Sequence, residues 1–331
     1  MIQLINDKEE YLKQWEQDSL HILQHYNWGE LKASESWEII RARDDKGSVI
    51  QIQSRKLPLF PYRFGYVAKM SPQQMGTDIK EWEGFLKEQN LAFVIFEFGT
   101  SDRGKVADSL KDSNIHIQPQ QSNMVDLNRS EDDLFMSMDG KYRRNIKKAM
   151  RESVSISFFS EGEKPLDDFY SIMSQIFSNT KLLERNREYY EKLWQVMKGR
   201  VYIATANYLQ DCIGAYLLLT DNIGCYELYG GVSKQGRDLE AGYALKWEAI
   251  KYAKSLGLQK YDHWGVAPIL NNGEYDSKHE LYRISQFKRG FGGEDIVFPG
   301  AKVMVINNAA YQSFLMAKTL SGWKTRLSKM F

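Results

Sequence analysis

Apolar positions recur along the chain in two periods, and the switching between them marks out the elements. A helical period runs through Glu9–Gln24, where Leu12, Trp15 or Glu16, Leu20 and Leu23 share a face, and through Thr77–Gln89, with Ile79, Trp82, Phe85 and Leu86. Lys164–Ser178, Asn186–Lys198 and Ala241–Leu256 read the same way. In the last of these Leu245, Ala249, Tyr252 or Ala253, and Leu256 line one side, and Gly257 sits at the stop. Alternating or continuous apolar runs predict strands at Trp37–Arg43, Val49–Leu57, Phe64–Ala68, Leu91–Phe98, Val201–Ala206, Cys212–Thr220, Gly224–Tyr229, Tyr261–Gly265 and Val303–Ile306. Asp44-Asp45-Lys46-Gly47 turns the first pair into a hairpin, and Ser130 before Glu131-Asp132-Asp133 caps a helix. Ala309–Phe331 is a helical tail that either packs on the N-terminal half or rests on an anionic membrane surface. Both halves repeat one order: helix, meandering strands, helix, strand, helix.

A chain of 331 residues, 43% hydrophobic, is expected to form two domains. Its 44 basic and 43 acidic residues nearly cancel, which excludes a strongly basic protein but not a basic patch. Cys212 and Cys225 lie in apolar strands and make no disulfide framework, so a reducing cytoplasm fits. Met1–Trp15 has no apolar signal core, and no run reaches the roughly 18 apolar residues of a membrane span. A soluble or peripheral protein is therefore expected. No His/Cys/Asp/Glu cluster has metal-ligand spacing, so neither metal nor cofactor is expected.

The stretch Gln286–Glu294 stands apart. Its aromatic–cation–glycine–aromatic–glycine–glycine order makes a poor helix and a poor long strand, following a helical run at Lys278–Ser285. Lys288, between Phe287 and Phe291, can bury its stem and hold its ammonium at one point. There it would bind a phosphate or offset charge developing on a carbonyl oxygen. The alternative is a helix cap with a solvated lysine. Lys141, Arg143, Arg144, Lys147, Lys148 and Arg151 form a basic helix face, either simply solvated or a footprint for nucleic-acid phosphates. Glu97 ends a buried strand as a water-reaching charge or a base, and His263 reads as a packed strand residue. Arg237–Gly242 is the best match to the loop that seats the pyrophosphate of CoA at a helix N-terminus. Glu240 stands where that loop needs glycine, and Asp238 and Glu240 would repel the pyrophosphate, which argues against CoA.

Phe287-Lys288-Arg289-Gly290-Phe291-Gly292-Gly293 resembles the terminal signature of the Fem (FemABX) family of non-ribosomal peptidyltransferases, which use aminoacyl-tRNA to add amino acids to peptidoglycan precursors. Gln24…Trp28-Gly29…Lys32 is similar to the family's N-terminal motif, Arg55-Lys56-Leu57-Pro58 to a strand end, and Lys141–Ala149 to the opening of its second domain. The resemblance implies an α/β (α+β) fold of two tandem GNAT-like acyltransferase modules, compact and without a long coiled-coil arm. Residues 1–139 plus 301–331 would form the first and 140–300 the second. It implies a tRNA-dependent aminoacyltransferase, cytoplasmic or peripheral at the inner face of the membrane. The acceptor would be the peptide stem of a peptidoglycan precursor, UDP-MurNAc-pentapeptide or lipid II.

In that reading Lys288 faces the reacting carbonyl, with Phe287 positioning it. Lys32 contacts the precursor's phosphates beside Trp28, and Thr180, Tyr243, Tyr229 and Arg289 complete the acceptor site. The family carries an arginine two residues after the threonine; this chain has Leu182 there, and Lys181 or Arg185 would substitute. Arg143, Arg144, Lys147 and Lys148 would meet the tRNA. Aminoacyl esters are already activated, so alignment and oxyanion stabilisation suffice without a nucleophile triad. The rival readings are a CoA-dependent N-acyltransferase on the same fold and a non-catalytic tRNA- or precursor-binding protein.

Overall fold

The structure is a computed structural model that describes the chain except for residues 59, 76–77, 103, 105–107, 109, 179–184, 271 and 321–331. It divides into two compact units, Met1–Gln120 with Val297–Phe331, and Gln121–Ile296.

The first unit opens with β1 (Gln3–Leu4), α1 (Lys8–Gln17) and α2 (Tyr26–Ser34). Asp7 caps α1 by accepting from Glu10 N at 2.7 Å. The helix expected to reach Gln24 stops at Gln17, because Ser19 takes a left-handed φ of 48°. Ile22–Gln24 follows as a separate buried 3-10 turn, tied down by Tyr11 OH donating to Gln24 O at 2.9 Å. Next come β2 (Glu38–Arg43), β3 (Val49–Lys56), β4 (Arg63–Met70), α3 (Ile79–Glu88), β5 (Leu91–Phe98) and β6 (Lys111–Asp112). Asp44 Oδ1 closes the β2–β3 turn by accepting from Lys46 N at 3.0 Å and Ser48 N at 2.9 Å. α3 buries Trp82, Phe85 and Leu86 against the strands, each side chain contributing roughly 1.5–3 kcal/mol.

The second unit runs β7 (Gln121–Asp126), α4 (Glu131–Ser137), α5 (Gly140–Arg151), β8 (Ser155–Phe159), α6 (Glu163–Phe177) and α7 (Arg187–Val196). It continues with β9 (Val201–Tyr208), β10 (Asp211–Thr220), β11 (Gly224–Val232), α8 (Lys234–Asp238), α9 (Ala241–Ser255), β12 (Lys260–Gly265), α10 (Tyr282–Arg289) and β13 (Glu294–Val297). Its sheet order is β13-β7-β12-β11-β10-β9-β8. Residues 121–139, placed with the first module on sequence, lie in this unit: β7 pairs antiparallel with β12, and Leu134 and Met138 enter the core around α5 and α9. Ser130 caps α4 as expected, its hydroxyl accepting from Asp133 N at 3.1 Å.

The chain then returns to the first unit. β14 (Lys302–Val305) slots between β5 and β6, completing the order β1-β2-β3-β4-β5-β14-β6. α11 (Asn308–Leu320) lays Tyr311 and Phe314 on Phe93, with ring centres 4.9 Å apart in both pairs. The described part of the tail is thus a packed helix. Residues 321–331 of the expected tail lie outside the described residues.

Candidate active site

Each sheet contains a parallel pair between a strand of the meander and the strand after the helix, and the two pairs differ. In the first unit β4 and β5 stay paired from Arg63↔Leu91 to Met70↔Phe98. In the second, β11 and β12 pair only where Gly224–Tyr226 meets Lys260–Asp262. Beyond that β11 continues against β10 to Val232↔Gly214, while β12 meets β7 at Gly265↔Ser122. Trp264, with a left-handed φ of 62°, sits on β12 past the parting. Such backbone is costly for a bulky residue and needs support from its surroundings.

That support comes from Lys288. Its Nζ donates to Trp264 O at 3.2 Å and Gly265 O at 2.8 Å. An ammonium has three hydrogens, so one is left without a partner among the described residues. Burial pushes the Lys288 pKa down to about 8; Glu227 and Asp262 oppose the shift and Lys246 adds to it. Lys288 lies in the last turn of α10, so the first four residues of the signature stretch, Gln286 to Arg289, are helical, contrary to the expectation of a poor helix. The glycines act afterwards: Gly290 ends the helix, and Gly292 and Gly293 take φ of 84° and 86°.

Phe287 belongs to an aromatic cluster. Its ring centre lies 5.2 Å from that of Tyr243, 5.1 Å from Phe291 and 6.0 Å from Tyr142. Tyr142 lies against Gly290 and donates to Gln286 O at 3.1 Å. Tyr243 therefore comes together with Phe287, on the turn of α10 that carries Lys288. Arg289 is engaged elsewhere: it bonds Asp295 Oδ2 through Nε at 2.7 Å and Ala267 O at 2.7 Å, and stacks 3.7 Å over the Tyr275 ring. Nε and Nη2 thus clamp the loop, while Nη1 is buried without a partner among the described residues.

Three residues missed on sequence complete the region. Glu227 from β11 forms a buried ion pair with Lys246 from α9, and Tyr261 OH donates to the same carboxylate at 2.6 Å. The available signal was a charge on each of two otherwise apolar faces. His263 is fully buried, and neither ring nitrogen has a partner among the described residues. Burial, then Lys246 and Lys288, hold its pKa well below the usual 6.5, so the imidazole is neutral. This agrees with a packed strand residue.

Tyr229 forms a second group, its hydroxyl 3.1 Å from that of Tyr189, with Arg185 stacked 4.8 Å from the Tyr189 ring. Thr180 and Lys181 lie outside the described residues. On α5 the buried face is Tyr142, Ile146 and Ala149. Arg143 caps α4 by donating to Met136 O at 3.0 Å and to Met138 O, and Lys148 pairs with Glu240 at 3.7 Å. Arg144 and Lys147 stay exposed. In the first unit Lys32 lies 5.2 Å from the Trp28 ring, one helical turn away, and pairs with Glu35 at 2.8 Å. Glu97 does not reach water: it accepts from Tyr66 OH, Ile117 N at 2.7 Å and Gln118 N at 3.0 Å, and burial raises its pKa.

The N-terminus of α9 is where a CoA pyrophosphate would lie. Its cap is Glu240, at φ 57°, with Asn145 Nδ2 donating to the carboxylate at 3.4 Å. The Glu240 side chain makes no capping bond to the helix; its carboxylate is held by Asn145 and Lys148 of α5 beside that end. Among the described residues no group of three or more His, Cys, Asp or Glu could hold a metal, and no helix is long and apolar enough to cross a membrane.

The FemAB family model matches residues 109–212 and 210–319, well over half of the chain. The chain belongs to the FemAB family. Aminoacyltransferase FemA of Staphylococcus aureus (strain MW2) is 23% identical over 268 residues, covering 61% of this chain; the chain spans 62% of that relative's length. A solved structure of FemX matches with a TM-score of 0.81 and 16% identity, over 95% of this chain and 99% of that one. A tandem GNAT protein from the clavulanic acid biosynthesis pathway matches with a TM-score of 0.51 and 12% identity, over 92% and 99%. These likenesses are of fold, and they give two tandem GNAT-like α/β modules, as expected from the sequence. Within this FemAB chain the Lys288 region and the Glu227–Lys246 pair fall inside the matched segments, whereas Trp28 and Lys32 precede them.

Proposed function

We propose that the protein is an aminoacyltransferase that moves an amino acid from aminoacyl-tRNA to the peptide stem of a peptidoglycan precursor, UDP-MurNAc-pentapeptide or lipid II. The observation that carries this reading is Lys288: an ammonium anchored on two backbone carbonyls at the parting of β11 and β12, with one hydrogen left over, in a FemAB-family chain. The acceptor amine attacks the ester carbonyl carbon, forming the C–N bond while the carbonyl electron pair moves to oxygen. The remaining Lys288 hydrogen stabilises that oxyanion. Collapse breaks the C–O bond to the tRNA ribose, whose oxygen takes the proton released by the amine. The products are an amide and deacylated tRNA, and no further reactant is needed.

Phe287 positions Lys288 within its aromatic cluster. Tyr243, Tyr229 and Arg185, with Thr180 and Lys181, serve the acceptor stem. Lys32 beside Trp28 serves the precursor's phosphates. Arg144 and Lys147, with Arg143 and Lys148, serve tRNA phosphates. Such a reaction places the protein in the cytoplasm or at the membrane's inner face. CoA is disfavoured because Glu240 stands where the pyrophosphate loop needs glycine, and its negative charge at the start of α9 would repel the pyrophosphate.

The test is a mass-spectrometric transfer assay with mixed aminoacyl-tRNAs and either nucleotide-linked or lipid-linked precursor, beside a reaction with acetyl-CoA. A gain of one amino-acid mass, abolished by RNase and by Lys288→Ala in a folded protein, is expected. Full turnover by Lys288→Ala would remove it from the mechanism. An acetyl gain would move the chain to CoA chemistry, and no product would favour a binding role.

A further inference from the structure

Glu227 and Lys246 have side chains 9% and 1% exposed, the most deeply buried ion pair among the described residues. Burying two charges costs more than their attraction returns unless further bonds satisfy them. Here Tyr261 OH supplies one, at 2.6 Å from Glu227 Oε2. Two rings also face the ammonium: Lys246 Nζ lies 4.7 Å from the centre of Tyr216 and 5.8 Å from that of Phe287. The transfer chemistry above makes no use of this pair. Yet Glu227 follows directly on the last β11 residue paired with β12, and Lys246 faces the ring that immediately precedes Lys288.

We propose that the Glu227–Lys246 pair positions Phe287 and Lys288 and balances the charge at Lys288, so that both are positioning residues of the transfer reaction; this rests on the aminoacyl-transfer reading. The cation under Phe287 adds to Tyr142, Tyr243 and Phe291 in fixing the last turn of α10, which aims Nζ at the Trp264 and Gly265 carbonyls. The charged groups that face Lys288 are Glu227 from β11, Lys246 from α9 and Asp262 from β12. His263 beside them is neutral. Tyr216 from β10, Tyr261 from β12 and Tyr142 from α5 keep their protons, because burial raises all three. Tyr243 of α9 completes the surroundings. Arg289 on the same helix is neutralised by Asp295. Lys246 therefore favours proton loss from Lys288 and Glu227 opposes it. The two halves of one ion pair act on Lys288 in opposite directions.

The experiment compares Glu227→Gln, Lys246→Met and the double variant with the wild-type full chain. Two readouts are taken against pH: kcat and KM for transfer, and acylation of Lys288 by a lysine-reactive reagent, followed by peptide mass spectrometry. Lys246→Met should raise the Lys288 midpoint by about one pH unit and Glu227→Gln should lower it by about as much, with the double variant in between. kcat should fall about tenfold or more in each single variant, with KM for either substrate changed less than about threefold. Midpoints that stay put, or move the same way in both single variants, would overturn the proposal. Where a single variant does not fold, the double variant, which leaves no unpaired buried charge, decides: a wild-type kcat overturns the positioning role and a reduced one upholds it. Labelling needs no turnover. A wild-type protein without transfer but with opposite midpoint shifts in the variants would refute the aminoacyl-transfer reading and still uphold the charge coupling.

Discussion

Gly290→Ala is the perturbation whose outcome the structure defines most sharply. The residue has an ordinary helical φ of −67°, so backbone strain plays no part. A Cβ built there would lie 2.5 Å from both Cε1 and Cε2 of Tyr142, and closer still to Cζ. Carbon atoms pack at roughly 3.5–4.0 Å, so the ring or the end of α10 must move by about 1–1.5 Å. The ring has little room to yield, because Tyr243 and Phe291 hold it edge-on at 4.9 and 5.0 Å and its hydroxyl is bonded to Gln286 O. Overpacking of this kind costs about 1–3 kcal/mol. In a domain of this size each kcal/mol lowers Tm by about 2–4 °C, giving a fall of roughly 2–12 °C. Circular-dichroism melting and urea denaturation read the loss. Gly84→Ala is the control: it sits inside α3 with nothing within 4 Å of the added methyl, and should stabilise by roughly 0.5–1 kcal/mol. Transfer should fall in Gly290→Ala alone, since a displaced α10 moves Lys288. Melting of Gly290→Ala at or above the wild-type temperature would refute the packing argument.

Transfer should be lost as pH rises through about 8, because burial lowers the Lys288 pKa from 10.5 and the ammonium is the donating form. In Lys288→Arg, whose guanidinium stays charged, that falling limb should vanish; a limb that persists would assign it to another group. Lys32→Ala should raise the KM for a nucleotide-linked precursor by about tenfold while kcat changes little, and an unchanged KM would count against its phosphate role. Glu97→Ala strips acceptors from Tyr66 OH, Ile117 N and Gln118 N and should destabilise the first unit by about 2–4 kcal/mol in urea unfolding. A loss of turnover without that loss of stability would make Glu97 chemical rather than structural.

Local pattern was enough to find most elements, because period and turn chemistry are written within a few residues. Thr77–Gln89 became α3, Asp44–Gly47 became a side-chain-bonded turn, and the basic run became the outer face of α5. The errors lie where packing overrode local preference. Ser19 breaks a helix whose apolar period continues to Leu23. Gln286–Arg289 is helical despite its neighbouring glycines, because Tyr142 and the ring cluster hold the last turn of α10. Residues 121–139 join the second unit through a pairing with β12 some 140 positions away, which no local window contains.

The sequence by itself determined the family signature, the alternating α/β order and the singling out of Lys288, since these depend on residue type and short spacing. Only the tertiary structure decided what surrounds that lysine. It joined Trp264 and Gly265 to Lys288 across more than twenty residues, and Glu227 to Lys246 and Tyr261 across two strands and a helix. It also closed Arg289 into a clamp with Asp295. The physical reason is that a buried charge is defined by its partners, and partners are chosen by the fold rather than by neighbours in the chain.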